Sequence, residues 1–173
     1  GYRHILDMIH ENYPYITFSK NDILTLHNRL YSYSAVNYKG RFKAGDNAIV
    51  EVDRTGNKKV RFQPVNAFET ERYFDEMIGT YNRAMEAQIP PLLVIPTVIH
   101  DFLCIHPFED GNGRMSRLLT LLLLYKHEYF VGRYISIEML IEESKESYYS
   151  SLRESSEKWH DGENNAAPFI VYM

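Results

Sequence analysis

His106-Pro107-Phe108-Glu109-Asp110-Gly111-Asn112-Gly113-Arg114-Met115-Ser116-Arg117 is the stretch on which the reading of this chain turns. Pro107 and the glycines at 111 and 113 make a tight loop, and the apolar run that follows at once predicts a helix over about 112–127. Free backbone N–H groups and the positive end of the helix dipole therefore meet at Gly111 to Arg114, which is how an anion site is made. At about 100° per residue, Gly113, Ser116, Arg117 and Thr120 share one helix face, and Met115, Leu118, Leu119 and Leu122 share the other. Arg114 and Arg117 are one turn apart and converge on the same side. Two guanidiniums, several amides and the Asn112 side chain suit a ligand with more than one phosphate better than a single carboxylate. Asp110 adds a hard oxygen ligand of the kind that holds Mg²⁺ arriving with such phosphates. His106 precedes it in the same loop. Its imidazole titrates near neutrality, so it can take a hydroxyl proton as that oxygen attacks phosphorus.

Working outward, the residues predict a mainly α fold with one β-hairpin. Ser19 caps a helix over 19–35, where Ile23, Leu26, Leu30 and Tyr33 recur at helical spacing. NAIVEVDRTGNKKVRF has two short β-rich runs around a turn cluster at Asp53 to Asn57, which reads as the hairpin. From Thr70 to about Gln88 the period returns to 3.6 at Tyr73, Phe74, Met77, Ile78, Tyr81 and Met85, ending before Pro90-Pro91. Further helices are expected over about 93–105 and as two segments in SIEMLIEESKESYYSSLRESS, with Ser136 as a cap. NNAAPFIVYM has the residues of a helix start, with Pro168 near its first turn.

The rest of the composition mostly excludes. With 173 residues, 45% hydrophobic and 24% charged, the chain is expected to be a single domain covering 1–173, a core excised from a longer protein. No apolar run approaches the roughly 18 residues of a membrane span. A net charge of −4 disfavours a grip on nucleic-acid phosphates. The one cysteine, Cys104, lies in the apolar stretch PTVIHDFLCI, so neither a disulfide framework nor a Cys-ligated zinc site is available, and a cytoplasmic setting is expected. Gly40 to Gly45 has the spacing of a phosphate loop but continues with Asp46, so it is no Walker A. Ser116 stands where a dinucleotide fingerprint needs its third glycine. His100, six residues before His106 on an apolar helix, reads as a core histidine.

The stretch HPFEDGNGRMSR resembles, at every defining position, the signature of the Fic (filamentation induced by cAMP) family, His-x-Phe-x-Asp/Glu-Gly-Asn-Gly-Arg-x-x-Arg. IHDFLCIHPF before it, GRFKAGDNAIVEV upstream and ESYYSSLRES downstream are similar to the family's surroundings, so the resemblance covers most of residues 20–160. It implies a Fic-type helical bundle with a hairpin flap beside the site, and transfer of AMP from ATP to a Ser, Thr or Tyr hydroxyl of a target protein. It further implies that His106 is the general base, that Phe108 anchors the loop, and that Asp110 holds Mg²⁺. Gly111, Asn112, Gly113 and Arg114 would cradle the α- and β-phosphates, and Arg117 would grip the γ-phosphate. A flap at Gly40, Phe42 and Lys43, reading Gly-Arg-Phe-Lys where the commoner pattern is Gly-x-Tyr-Arg, would dock an extended target segment by strand-like pairing. Tyr148, Tyr149 and Leu152 would line the adenine pocket, and one of the tyrosines would be open to self-modification.

The family also holds members that transfer other nucleoside monophosphates or phosphocholine, that phosphorylate, or that remove AMP. Gly113 argues against the kinase-like variant, whose loop reads Gly-Asn-Lys-Arg. A non-catalytic ATP-sensing module would not need His106, and a loop that merely caps a helix would need neither Asp110 nor both arginines. The inhibitory pattern of many members, Ser/Thr-x-x-x-Glu-Gly/Asn, is absent from the sequence, since Asp7 and Trp159 stand four residues before Glu11 and Glu163. This piece of chain is therefore expected to be constitutively active.

Overall fold

The computed structural model describes residues 1–52 and 56–173, and the first three residues of the expected turn, Asp53 to Thr55, lie outside the described residues. Helices α1 (Tyr2–Asn12), α2 (Lys20–Leu30), α3 (Thr70–Glu86), α4 (Pro91–Ile105), α5 (Asn112–Lys126), α6 (Ile137–Glu143), α7 (Lys145–Ser156) and α8 (Ala167–Tyr172) carry the fold. Strands β1 (Ile49–Val52) and β2 (Lys58–Phe62) form an antiparallel hairpin, with a register shift between Ile49 and Val50. The mainly helical bundle with one hairpin is therefore what the sequence predicts.

The bundle is built around α5. Its apolar face packs on α4 and α1, and the Ser116 and Thr120 face is buried as well. Both hydroxyls are satisfied inside the helix, Ser116 Oγ donating to the Gly113 carbonyl and Thr120 Oγ1 to that of Ser116, each at 2.8 Å. Polarity on that face therefore did not mean exposure. Fully buried Phe74, Phe102, Phe108, Leu118, Leu122 and Tyr125 make the centre of the core, each worth about 1.5–3 kcal/mol of removed apolar surface.

Three elements depart from expectation. Helix α1 lies outside the segments the sequence singles out: Ile5 and Ile9, one turn apart, are fully buried, and Tyr2, Leu6 and Met8 pack against the core beside them. Helix α2 starts at its Ser19 cap, whose Oγ accepts from the Asp22 N–H at 3.3 Å, but ends at Leu30 rather than near residue 35. Tyr31 leaves the helical path because its hydroxyl is engaged by the loop before α5, and Tyr33 is exposed. Helix α4 begins earlier than expected, with Pro91 at a first-turn position where a missing N–H costs nothing. Among the described residues, no helix is long and apolar enough to cross a membrane.

Candidate active site

Helix α4 ends at His106, which takes the left-handed conformation at φ 51° just before Pro107. A non-glycine residue holds that geometry only where its surroundings dictate it. Here the dictating segment is Lys43 to Asn47. The Lys43 N–H donates to the Pro107 carbonyl at 2.9 Å and its ammonium to that of Ile105 at 3.1 Å. Asn47 Nδ2 donates to the carbonyls of Phe108, at 3.2 Å, and His106, at 3.4 Å, while its Oδ1 accepts from Lys43 Nζ at 2.8 Å. Four consecutive carbonyls, from the last residue of α4 at Ile105 to Phe108 in the loop, thus accept from one short segment.

The loop is closed from the other side by Asn112. Its Oδ1 accepts from the Phe108 N–H at 2.9 Å and its Nδ2 donates to the Phe108 carbonyl at 2.8 Å, so the side chain is spent on the loop. An Asn112 side chain reaching the ligand, as the sequence suggested, is therefore replaced by an internal clasp, which leaves only its backbone N–H for an anion. Gly111 sits at φ 86°, and a Cβ there would come within 2.9 Å of the Tyr31 hydroxyl, so glycine is required. At Gly113 the nearest obstacle to a Cβ is an Arg117 nitrogen at 3.5 Å, so a larger residue would grow toward that guanidinium.

Residues that sequence reasoning missed hold this loop to α2. His27 is fully buried and stacks face to face on Phe108, with ring centroids 3.7 Å apart. Its Nδ1 accepts the Gly40 N–H at 3.0 Å, which leaves Nε2–H to donate to the Asp110 carbonyl at 3.0 Å. Burial keeps this imidazole neutral by pushing its pKa down. The available signal was a histidine on the apolar face of α2, between Leu26 and Leu30. Tyr31 donates to Asp110 Oδ2 at 2.6 Å and accepts from Arg114 Nη2, also at 2.6 Å, which in turn bonds Asp110 at 3.0 Å. The Tyr31 bond, the Gly111 N–H and the Arg114 charge hold the Asp110 carboxyl below its usual range.

Arg114 is thereby committed to Asp110 and Tyr31, and Arg117 lies elsewhere than beside it. Arg117 lines a cavity of about 210 Å³ together with His106, Gly113, Tyr148, Tyr149 and Leu152. Its Nε is buried without a hydrogen-bond partner, and among the described residues it has no ion pair. Tyr148 is buried and Tyr149 is 48% exposed, their rings meeting edge to face at 5.2 Å. His106 Nδ1–H donates to the Leu103 carbonyl at 3.2 Å, which leaves the Nε2 lone pair free. Burial, with the charges of Lys43 and Arg61 adding to it, pushes the His106 pKa down to about 4, so the ring is neutral at pH 7.

The expected flap residues face inward. Gly40 packs against Asn28 at φ 70°, Phe42 lies against Phe74 at 5.0 Å, and Lys43 is buried on the loop carbonyls, its pKa pushed down to about 8 by burial. They brace the loop and do not form an exposed docking face. Asp110 belongs to no ready-made metal cluster: among the described residues no group of three or more His, Cys, Asp or Glu side chains could hold a metal. An ionised, accessible carboxylate nevertheless fits Mg²⁺, which keeps waters and takes most of its remaining ligands from substrate phosphates. His100 is buried as expected, its Nε2 facing Ser156 Oγ at 3.3 Å and Cys104 Sγ at 3.7 Å, while its Nδ1 makes no hydrogen bond and lies 4.0 Å from Asp101 Oδ1.

A helical bundle in which a clasped loop opens onto a helix start, beside a cavity under a hairpin, is the arrangement of a Fic domain. The model of the Fic/DOC family matches residues 17–124, and the chain belongs to that family. A Fido domain-containing protein of Dictyostelium discoideum is 32% identical over 83 residues, 48% of this chain and 54% of that protein. A Fic family protein from Desulfovibrio desulfuricans superposes with a TM-score of 0.75 at 22% identity, covering 98% of this chain and 47% of that one. A Fic domain containing signaling protein from Bacteroides thetaiotaomicron gives 0.76 at 22% identity, covering 99% and 64%. The chain thus spans between about half and two thirds of the length of these proteins. Fic domain proteins are typically transferases that act on proteins.

Proposed function

We propose that this chain transfers AMP from ATP to a Ser, Thr or Tyr hydroxyl of a target protein, with pyrophosphate leaving. The observation that carries the reading is the meeting, in one cavity of about 210 Å³, of an imidazole with a free Nε2 and a guanidinium that, among the described residues, has no ion pair and keeps a buried, unpartnered Nε. His106 Nε2 takes the proton of the attacking hydroxyl, and its low pKa keeps it ready to do so at neutral pH. The N–H groups of Asn112, Gly113 and Arg114 have no helical carbonyl to bond and are left for the phosphate chain. Arg117 meets the far end of that chain, and the rings of Tyr148 and Tyr149 bound the adenine. Asp110 holds the Mg²⁺ that, when bound, neutralises phosphate charge, while Arg114 and Tyr31 keep its carboxylate ionised and aimed.

The target is an extended hydroxyl-bearing segment laid along the hairpin, where Val50 and Val60 are exposed. An accessible tyrosine of this chain is a second acceptor, giving self-modification. A membrane or nucleic-acid partner has no part in the reading, and a cytoplasmic setting agrees with a reduced, buried Cys104.

The test is incubation with Mg²⁺ and ATP labelled at either the α- or the γ-phosphate, in the presence of protein extract. Protein-bound label from the α position alone supports AMP transfer. Label from the γ position alone would establish phosphorylation instead, and ATP binding with no label from either would favour a sensing module.

A further inference from the structure

The arginines near the cavity divide into those already neutralised and those that are not. Arg114 is paired with Asp110, and on α7 Arg153 reaches both carboxylate oxygens of Glu51, at 2.6 and 2.7 Å. Two remain. Arg117 keeps a buried Nε without a partner. Arg61, on β2, lines the same cavity as Arg117 and His106. It is half-buried, its guanidinium stands 5.8 Å from the centre of the Tyr149 ring, and among the described residues it makes no ion pair. The carboxylate that would serve it, Glu51 on the partner strand, is taken by Arg153. A charge withdrawn from water without a counter-ion is unfavourable unless a ligand supplies one. Both unpaired guanidiniums open on a single small space, one from the helix floor and one from the hairpin.

We infer that Arg61 is a phosphate-directed nucleotide-binding residue, which closes on the substrate's polyphosphate opposite Arg117. The inference deepens the reading of the site as an ATP site and rests on it. Because Arg61 belongs to the hairpin, bound nucleotide ties the hairpin to the floor of the site, and the strand edge proposed for the target is steadied in the nucleotide-bound state. The Glu51–Arg153 pair anchors the same hairpin to α7 and keeps Arg61 from being quenched by its own strand partner.

The experiment is calorimetric titration of the whole chain with Mg²⁺-ATP and with adenosine, for the wild type, Arg61→Ala, Arg61→Lys and Arg117→Ala. A lost charge-assisted contact corresponds to roughly 10- to 100-fold in affinity. Arg61→Ala should weaken ATP by that factor while leaving adenosine nearly unchanged, and Arg61→Lys should recover part of the loss. Unchanged ATP affinity in Arg61→Ala, with Arg117→Ala impaired, would overturn the inference and leave the ATP site standing. Equal losses for ATP and adenosine would also overturn it, as the mark of a packing role. No ATP binding by the wild type would overturn the site reading and this inference with it. If Arg61→Ala fails to fold, Arg61→Lys and Arg61→Gln, compared by the same ATP-to-adenosine ratio, decide the matter.

Discussion

Replacing His27 by alanine tests whether the catalytic loop is held from α2. The wild-type ring is fully buried, stacks on Phe108 at 3.7 Å, and accepts the Gly40 N–H at 3.0 Å. Removing it takes away one hydrogen bond to Gly40 and one to Asp110, and leaves a void beside a fully buried phenylalanine. An unsatisfied buried backbone group costs about 1–3 kcal/mol, and large-to-small core changes cost about 2–5 kcal/mol. The two contributions overlap if water enters, so a loss of roughly 3–5 kcal/mol is expected. For a chain of this size each kcal/mol moves the melting temperature by about 2–4 °C, so the midpoint should fall by roughly 6–20 °C. Differential scanning calorimetry and urea unfolding, with unchanged urea m-value, measure it. A loss below about 1 kcal/mol would refute the claim that His27 pins Gly40, Phe108 and Asp110 together.

Other expectations follow from neighbouring groups. Lys43→Met keeps the aliphatic stem but leaves the Ile105 carbonyl without its donor, so about 1–2 kcal/mol of stability should be lost. Burial is the larger cause of the low His106 pKa, yet removing the adjacent ammonium should raise it part of the way from about 4, and an NMR titration of His106 that does not move would contradict this. Acid sensitivity should come from His100, whose pKa burial lowers to about 4 from an unfolded value near 6.5. Above pH 6.5 its ring is neutral in both states and stability is full. Between pH 6.5 and about 4 the unfolded chain binds the extra proton, so about 3 kcal/mol should drain away. His27 and His106 act in the same direction, the depressed Asp110 carboxyl extends the loss to lower pH, and Asp101, raised by burial, opposes it. A urea midpoint that stays flat across that window would count against the account.

What the sequence made legible is local. The helix α5, the glycine-bearing loop before it and the hairpin are written in contiguous residues, so spacing and turn chemistry sufficed. The parts that were not legible depend on long-range meetings. Tyr31 and Asp110 lie 79 positions apart, and nothing in the 19–35 periodicity says that the helix must stop so that a tyrosine can reach a carboxylate. Lys43 is placed in a docking flap by the family resemblance alone, whereas here the carbonyls of the α4 terminus draw it inward. Asn112 read as a ligand group because its own loop's need for a clasp is invisible without the fold. Arg61 is an ordinary strand residue until the cavity beside it is known.

The central claim is that His106 is the base of a transfer reaction. The most direct measurement compares wild type and His106→Ala for covalent protein labelling from Mg²⁺-ATP carrying its label at the α-phosphate, alongside ATP affinity for both. The account predicts label attached to protein by the wild type, none by the variant, and similar ATP affinity in the two. Equal labelling by both, or labelling by neither while both bind ATP, would contradict it.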